Sequence, residues 1–381
     1  MGETIRVAIV GYGNLGRGVE AAIPQNPDIS LVGVFTRRDP ASVTTLHEAT
    51  RVYPQEALFE MKDQIDVLVV CAGSATDLPQ MTPLLAKDFT LVDSFDNHAH
   101  IPEHFAAVDA AAQAAGTTAV ISVGWDPGLF SLNRALAHAV LPAGTDYTFW
   151  GPGVSQGHSD AVRRIAGVID ARQYTLPVEA AFAAVRSGQT PTLAARQKHS
   201  RLVYVVAAEG LDEVEQQRIE EQIVTMPDYF ADYDTIVRFI SAEQMAAEHA
   251  GLPHGGNVFR IGRTGLAEGV GLAEGAALAE GVGLAEGSAL TEGAALAEGS
   301  ALTEDAALAK GSTLAEGSTQ VIEYNLQLQS NPEFTASVLV AYCRAAYRMQ
   351  QAGQSGCKTI FDIPISYLLP ISAEQMRATL L

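Results

Sequence analysis

Long hydrophobic runs are missing. No apolar stretch in the 381 residues approaches the roughly 20 needed to cross a bilayer, which excludes a helical span and any membrane partner that depends on one. The chain passes straight from Met1 into a strand-like run, Ile5 to Val10, without the charged and apolar regions of a signal peptide, so a cytoplasmic protein is expected. Gly2 is no acylation site, because Arg6 stands where the myristoylation pattern requires Ser or Thr. Cysteine is scarce: Cys71, Cys343 and Cys357 are isolated thiols that offer neither a disulfide framework nor a zinc knuckle. Basic residues are also few, 24 against 44 acidic, and a formal charge of -20 would repel phosphates, which argues against a nucleic-acid partner.

What is present suits a globular protein with room for two domains, with 48% hydrophobic and 18% charged residues. Apolar strand runs at Ile5 to Val10, Leu31 to Phe35, Val67 to Cys71, Thr90 to Val92 and Ala119 to Val123 alternate with helical segments, the first from about Asn14. That alternation predicts an α/β fold, a Rossmann-type dinucleotide-binding domain over residues 1–123. Longer strands such as Leu202 to Ala207 and Thr235 to Ile240 follow, separated by helices. They predict an α+β substrate and dimerisation domain over 124–330. A C-terminal segment, 331–381, helical by spacing from Phe334 to Gln351, is expected to return to the first domain.

Residues 265–318 interrupt the second domain with a repeat. Leucine recurs every six residues from Leu266 to Leu314, usually within Leu-Ala-Glu-Gly or Leu-Thr-Glu-Gly. Successive leucines would rotate by about 240° on a helix and form no stripe, and each glycine costs roughly 1 kcal/mol there. A flexible low-complexity insertion, a parallel β-helix of hexapeptide coils and fragmentary helices all remain open.

Val10-Gly11-Tyr12-Gly13-Asn14-Leu15-Gly16 follows a strand and opens a helix, the context a G-x-G-x-x-G dinucleotide fingerprint requires. The second strand ends in Thr36-Arg37-Arg38 instead of an acidic residue. A hydroxyl and two guanidinium groups can bind a 2′-phosphate that a carboxylate would repel, so NADP is favoured over NAD. Cys71-Ala72-Gly73-Ser74, Ser94-Phe95-Asp96-Asn97 and Gly124-Trp125-Asp126-Pro127-Gly128 each follow an apolar strand and belong at the carboxyl edge of the sheet. Asp96 and Asp126 there become two carboxylates able to hold an ammonium and receive its proton. His98, His100 and His104 superficially resemble a metal site, but no carboxylate or Cys completes a regular spacing, and no metal is expected. Ser155, His158 and Asp160 lack the nucleophile elbow of a hydrolase.

With these residues in view the sequence resembles the meso-diaminopimelate dehydrogenase family, from about Ile5 to Thr264 and again from about Ser318 to Leu369. The markers are VGYGNLGR, CAGSATD, GWDPG, FWGPGVSQGHSDAVRRI, TMPDYF, LPHGG and NPEFTAS. The repeat is the departure from the family pattern. The resemblance implies cofactor contacts from Tyr12, Gly13, Asn14, Leu15, Thr36, Arg37 and Arg38, from Cys71, Ala72, Gly73 and Ser74, from Ser94 and Phe95, and from Val123, Gly124, Trp125, Asp126 and Pro127. It implies substrate contacts from Asp96, Asp126, Trp150, Gln156, Gly157, Thr175, Arg201, His254 and Asn331, with Asp96 and Asp126 as the catalytic pair, and a homodimer. The chemistry of these side chains agrees. Diaminopimelate carries an amino-acid group at each end, so its site needs donors for two carboxylates and acceptors for two ammonium groups. Arg201, Thr175, His254 and Asn331 can donate, Arg as a bidentate fork, and Trp150 can cover the methylene chain. Two rivals stand beside this reading: an NADP enzyme of broader D-amino-acid specificity, and a dinucleotide-binding regulator without turnover.

Overall fold

Runs such as Val67-Leu68-Val69-Val70, apolar at every position, suit a strand covered on both faces, and that is where they lie. The computed structural model describes residues 4–264 and 317–381; the readings of the repeat concern residues outside these. A seven-stranded sheet has the order β14-β6-β5-β4-β1-β2-β3. Its strands are β1 (Ile5–Val10), β2 (Ile29–Thr36), β3 (Val52–Pro54), β4 (Val67–Val70), β5 (Leu91–Asp93), β6 (Thr118–Val120) and β14 (Gly356–Lys358). Every pairing in it is parallel. Alternate side chains feed two cores. Val7, Ile9, Val67 and Val69 pack with Val19, Leu339 and Cys343 on one face, while Ala8, Val10, Leu68 and Val70 pack with Leu78, Leu85, Val108 and Ala112 on the other. The long helix Asn331–Gln351 lies on the first face, close enough to helix Asn14–Ala22 that a Cβ at Gly18 would sit 2.9 Å from the Ala336 Cβ.

Two further sheets follow. One has the order β11-β10-β9-β8, from β8 (Gly153–Ser155), β9 (Val168–Pro177), β10 (His199–Ala207) and β11 (Asp234–Phe239). The other, β13-β12-β7, is antiparallel and joins β7 (Gly144–Trp150), β12 (His254–Thr264) and β13 (Ser318–Leu328). Thr264 pairs with Ser318 in the β12–β13 register, so the chain leaves and re-enters this ladder at adjacent positions. The strand expected over Ala119 to Val123 stops at Val120, because Ser122 adopts φ +57° and turns the backbone out of the sheet. Among the described residues no helix is long and apolar enough to cross a membrane.

Candidate active site

The three fingerprint glycines have different reasons to lack a side chain. A Cβ at Gly11 (φ +90°) would meet the Cys71 carbonyl oxygen at 2.8 Å, and one at Gly16 would meet the Gly11 oxygen at 2.4 Å. A Cβ at Gly13 would meet nothing within 4 Å. Gly11 and Gly16 thus serve the turn and its packing, while Gly13 leaves open space at the start of helix Asn14–Ala22, whose N-cap receives no side-chain hydrogen bond. That cradle suits a pyrophosphate. Beside it Tyr12 is buried; burial and its hydrogen bond to Glu20 push its hydroxyl up to about 12. Asn14 is exposed and Leu15 half-buried at the same helix start.

Arg38 donates from Nη2 to the Tyr12 carbonyl at 2.5 Å, and its N–H donates to Thr36 Oγ1 at 3.1 Å. Arg37, 61% exposed, pairs through Nη2 with Asp77 at 2.9 Å. The other Asp77 oxygen accepts the Gly73 N–H at 3.1 Å. One carboxylate, unforeseen from sequence, therefore ties the Cys71-Ala72-Gly73-Ser74 loop to the arginine at the end of β2. The Cys71 thiol is buried, which raises its pKa far above the ordinary range. Glu20 was also missed: 1% exposed, it accepts from Thr50, Tyr12 and the N–H groups of Leu46 and His47, which pins residues 46–50 beside the helix.

The two acids that sequence reasoning paired lie beyond neighbouring strands, with different partners. Asp96 follows β5 and is exposed; Ser74 Oγ donates to its Oδ1 at 2.5 Å, and the Asp96 N–H donates back to that hydroxyl at 3.0 Å. Ser94 is half-buried and Phe95 buried just before it. Asp126 lies in the Val123-Gly124-Trp125-Asp126-Pro127 loop beyond β6, its side chain only 4% exposed. Arg134 forks onto it at 2.9 and 3.1 Å, and the Trp150 indole N–H donates to it at 2.9 Å. Nothing in the sequence singled out Arg134, which reaches back from its helix across eight residues. Trp125 donates from Nε1 to Asn331 Oδ1 at 2.9 Å, with Thr335 on the same oxygen at 3.2 Å. That fixes the Asn331 amide with its NH2 available as a donor.

A second group holds the donors. β9 and β10 place Thr175 directly across from Arg201, both 3% exposed, and Arg201 Nη1 donates to Thr175 Oγ1. The Arg201 guanidinium lies over the Tyr233 ring at 3.9 Å. Burial first, then Arg201, drives His158 and His199 down to about 3, so both are neutral at neutral pH and Arg201 carries the charge. His199 Nε2 accepts the Trp150 backbone N–H at 2.9 Å. His254 is also lowered, by burial; Asp126 and Arg201 act on it with opposite sign, which puts it within electrostatic reach of both ends of the site. Its Nδ1 accepts the Gly255 N–H at 2.8 Å, and its ring lies 4.9 Å from Trp125. Gln156 and Gly157 open helix Gln156–Arg163, and Gly157 is exposed with no atom near a Cβ position, leaving backbone N–H groups for an anion. The three histidines of the apparent metal cluster part company: His104 is buried, His98 is half-buried, and His100 is exposed beside Glu103. Among the described residues no three His, Cys, Asp or Glu groups could together hold a metal.

Comparison with known proteins gives the family. A family signature described as the diaminopimelic acid dehydrogenase C-terminal domain matches residues 124–272. The chain is 51% identical to a meso-diaminopimelate D-dehydrogenase of Lysinibacillus sphaericus over 100% of both chains. It is similar to the solved Corynebacterium glutamicum diaminopimelate dehydrogenase in complex with diaminopimelate, with TM-score 0.79, 41% identity and 100% of both chains covered. An engineered D-amino acid dehydrogenase bound to NADP+ matches with TM-score 0.75 and 40% identity over 99% of this chain and 100% of that one.

Proposed function

The chain belongs to the meso-diaminopimelate dehydrogenase family, and from that premise we propose how its side chains divide the work. It is an NADP-dependent oxidoreductase of the amino-acid dehydrogenase class. With NADP+ and water it oxidatively deaminates meso-2,6-diaminopimelate at the D centre, reversibly, giving L-2-amino-6-oxopimelate, ammonia and NADPH, in lysine and cell-wall precursor synthesis. One observation supports the assignment of ends: a buried Thr175–Arg201 pair lies among neutral histidines, and Trp150 links that group to the acid, donating from its backbone N–H to His199 and from its indole to Asp126.

In this reading Arg201, Thr175, His254 and Asn331 take the distal L-centre carboxylate, the N–H groups of Gln156 and Gly157 take the other, and Trp150 covers the methylene chain. Asp96 and Asp126 attract the ammonium at the D centre, and Asp96, exposed and held by one serine, receives its proton. NADP, cradled at Gly13 and held by Thr36, Arg37 and Arg38, supplies the hydride acceptor. Asp126 already accepts three hydrogen bonds, so its part is to orient the amine and to offset its charge. The division into 1–123, 124–330 and 331–381, a homodimer built on the second part, and cytoplasmic residence belong to the same proposal; Ile169 and Ile236, 65% and 56% exposed on the β11-β10-β9-β8 sheet, supply apolar surface for the dimer.

Rates with NADP on meso-diaminopimelate, D-alanine and D-lysine test the reading. A preference of at least a hundredfold in kcat/KM for diaminopimelate is expected, since D-alanine and D-lysine offer no distal carboxylate for the Arg201 and Thr175 end. Similar rates on all three would support the broad-specificity rival, and no turnover of any would support the regulator.

A further inference from the structure

Asp93, the last residue of β5, has 0% exposure and sits outside the binding residues described above. Its carboxylate accepts from four groups on four segments. Oδ2 takes the Thr82 hydroxyl at 2.8 Å, from helix Leu78–Leu85, and His104 Nε2 at 2.7 Å, from helix Ile101–Ala115. Oδ1 takes the Phe95 N–H at 3.1 Å and the Ser122 N–H at 2.9 Å. The Asp93 carbonyl also accepts the Val123 N–H at 2.9 Å. Ser122 is the residue at φ +57°, a left-handed conformation unfavourable for a residue with a side chain, and its N–H donates to the carboxylate.

The geometry points to Asp93 as the positioning residue for the reaction. It clamps the Ser94–Asn97 and Ser122–Pro127 loops to one buried acid and so sets Asp96 and Asp126 relative to each other. The two acids have different outer partners, Ser74 for Asp96 and Arg134 for Asp126. Asp93 is the shared inner one: three residues before Asp96, and bonded to both Ser122 and Val123 at the root of the Asp126 loop. His104 completes the device. Its ring stacks on Phe95 at 4.3 Å, and its Nδ1 is buried without a hydrogen-bond partner. The proton can therefore move from Nε2 to Nδ1 without breaking another bond.

That spare position makes a sharp test, which rests on the functional reading for its kinetic arm only. In Asp93→Asn the amide oxygen can keep both loop N–H groups while its NH2 donates to His104 Nε2 and Thr82 Oγ1, so kcat for meso-diaminopimelate should stay within about threefold of the parent. Asp93→Ala removes the clamp, and Asp93→Glu keeps the charge but shifts the oxygens by a methylene. Both should lower kcat at least thirtyfold, a larger loss than in NADP affinity, which the glycine loop and Thr36-Arg37-Arg38 share with these two loops. Hydrogen exchange gives a second reading that needs no turnover: residues 94–97 and 122–127 should lose protection together in the Ala and Glu variants and retain it in Asn. Should Ala fail to fold, Glu and Asn still decide. Parent-like kcat and protection in Ala or Glu would overturn the inference, as would an Asn variant as impaired as Ala. A parent that does not oxidise diaminopimelate would overturn the functional reading alone, leaving the exchange pattern to judge the clamp.

Discussion

On the proposed cofactor site Asp77 competes with NADP for Arg37, and the competition has a sign that can be measured. A charge-assisted bond from Arg37 to a 2′-phosphate contributes about 1.5–3 kcal/mol. Forming it means giving up the 2.9 Å pair with Asp77, which at 61% exposure of the arginine is worth about 0.2–1 kcal/mol. The balance for Arg37 is about 1–2 kcal/mol, so Arg37→Ala should weaken NADP about 5- to 30-fold and leave NAD nearly unchanged. Asp77→Asn should act in the opposite direction. It keeps an acceptor for the Gly73 N–H but frees the arginine, so NADP should bind about 2- to 5-fold more tightly, again without effect on NAD. In an Arg37→Ala background the Asp77→Asn gain should largely vanish. Titrating each variant with both cofactors and following protein fluorescence reads all of this. An Asp77→Asn protein that binds NADP no better, or variants that shift NAD and NADP equally, would refute the competition.

Other consequences follow from the same contacts. Gly13→Ala should fold normally but bind NADP at least tenfold more weakly, whereas Gly16→Ala, with its Cβ 2.4 Å from the Gly11 oxygen, should lower the melting temperature; calorimetry with cofactor titration separates the two. Arg134→Met leaves the 4%-exposed Asp126 without its fork and should cost about 3 kcal/mol, together with kcat, while Lys restores only part because it has no planar fork. Burial raises the Glu20 pKa, but donors from Thr50, Tyr12, Leu46 and His47 outweigh that and hold it below the usual carboxylate value. Its stabilising share is therefore complete above the unfolded pKa of about 4.3 and lost as pH falls through the lower folded value, so the melting-temperature gap between parent and Glu20→Gln should close in acid. Because Thr264 and Ser318 are paired neighbours, replacing 266–317 by a Gly-Asn turn should leave activity within a few-fold.

Local signals were readable from sequence. The apolar period of β1 and β4 and the glycine turn between strand and helix depend on neighbours only a few residues away, and so they survive into the fold. The families of contact that depend on distant segments did not announce themselves. Arg134 is an ordinary helix residue until the loop beyond β6 brings Asp126 against it. Glu20 reads as a solvated helix position until residues 46–50 fold over it. The early end of β6 at Val120 depends on the left-handed turn at Ser122, which a serine does not advertise. His104 looked like one of three related histidines, and burial on one face of its helix sets it apart from His100. For the site itself, the sheet edge carrying Asp96 and Asp126 was legible; the hydrogen bonds that give the two acids different partners were not.

The most direct measurement of the central claim follows NADPH formation from meso-diaminopimelate and from the LL isomer, with deuterium placed separately at the D and L α-carbons of the meso compound. Of the two, only the meso form presents a D centre together with an L end for the proposed Arg201 and Thr175 site. The account predicts rapid NADPH formation from meso-diaminopimelate, little or none from LL, and deuterium in the reduced cofactor only from the D-labelled carbon. Comparable turnover of LL-diaminopimelate, or deuterium transferred from the L carbon, would contradict it.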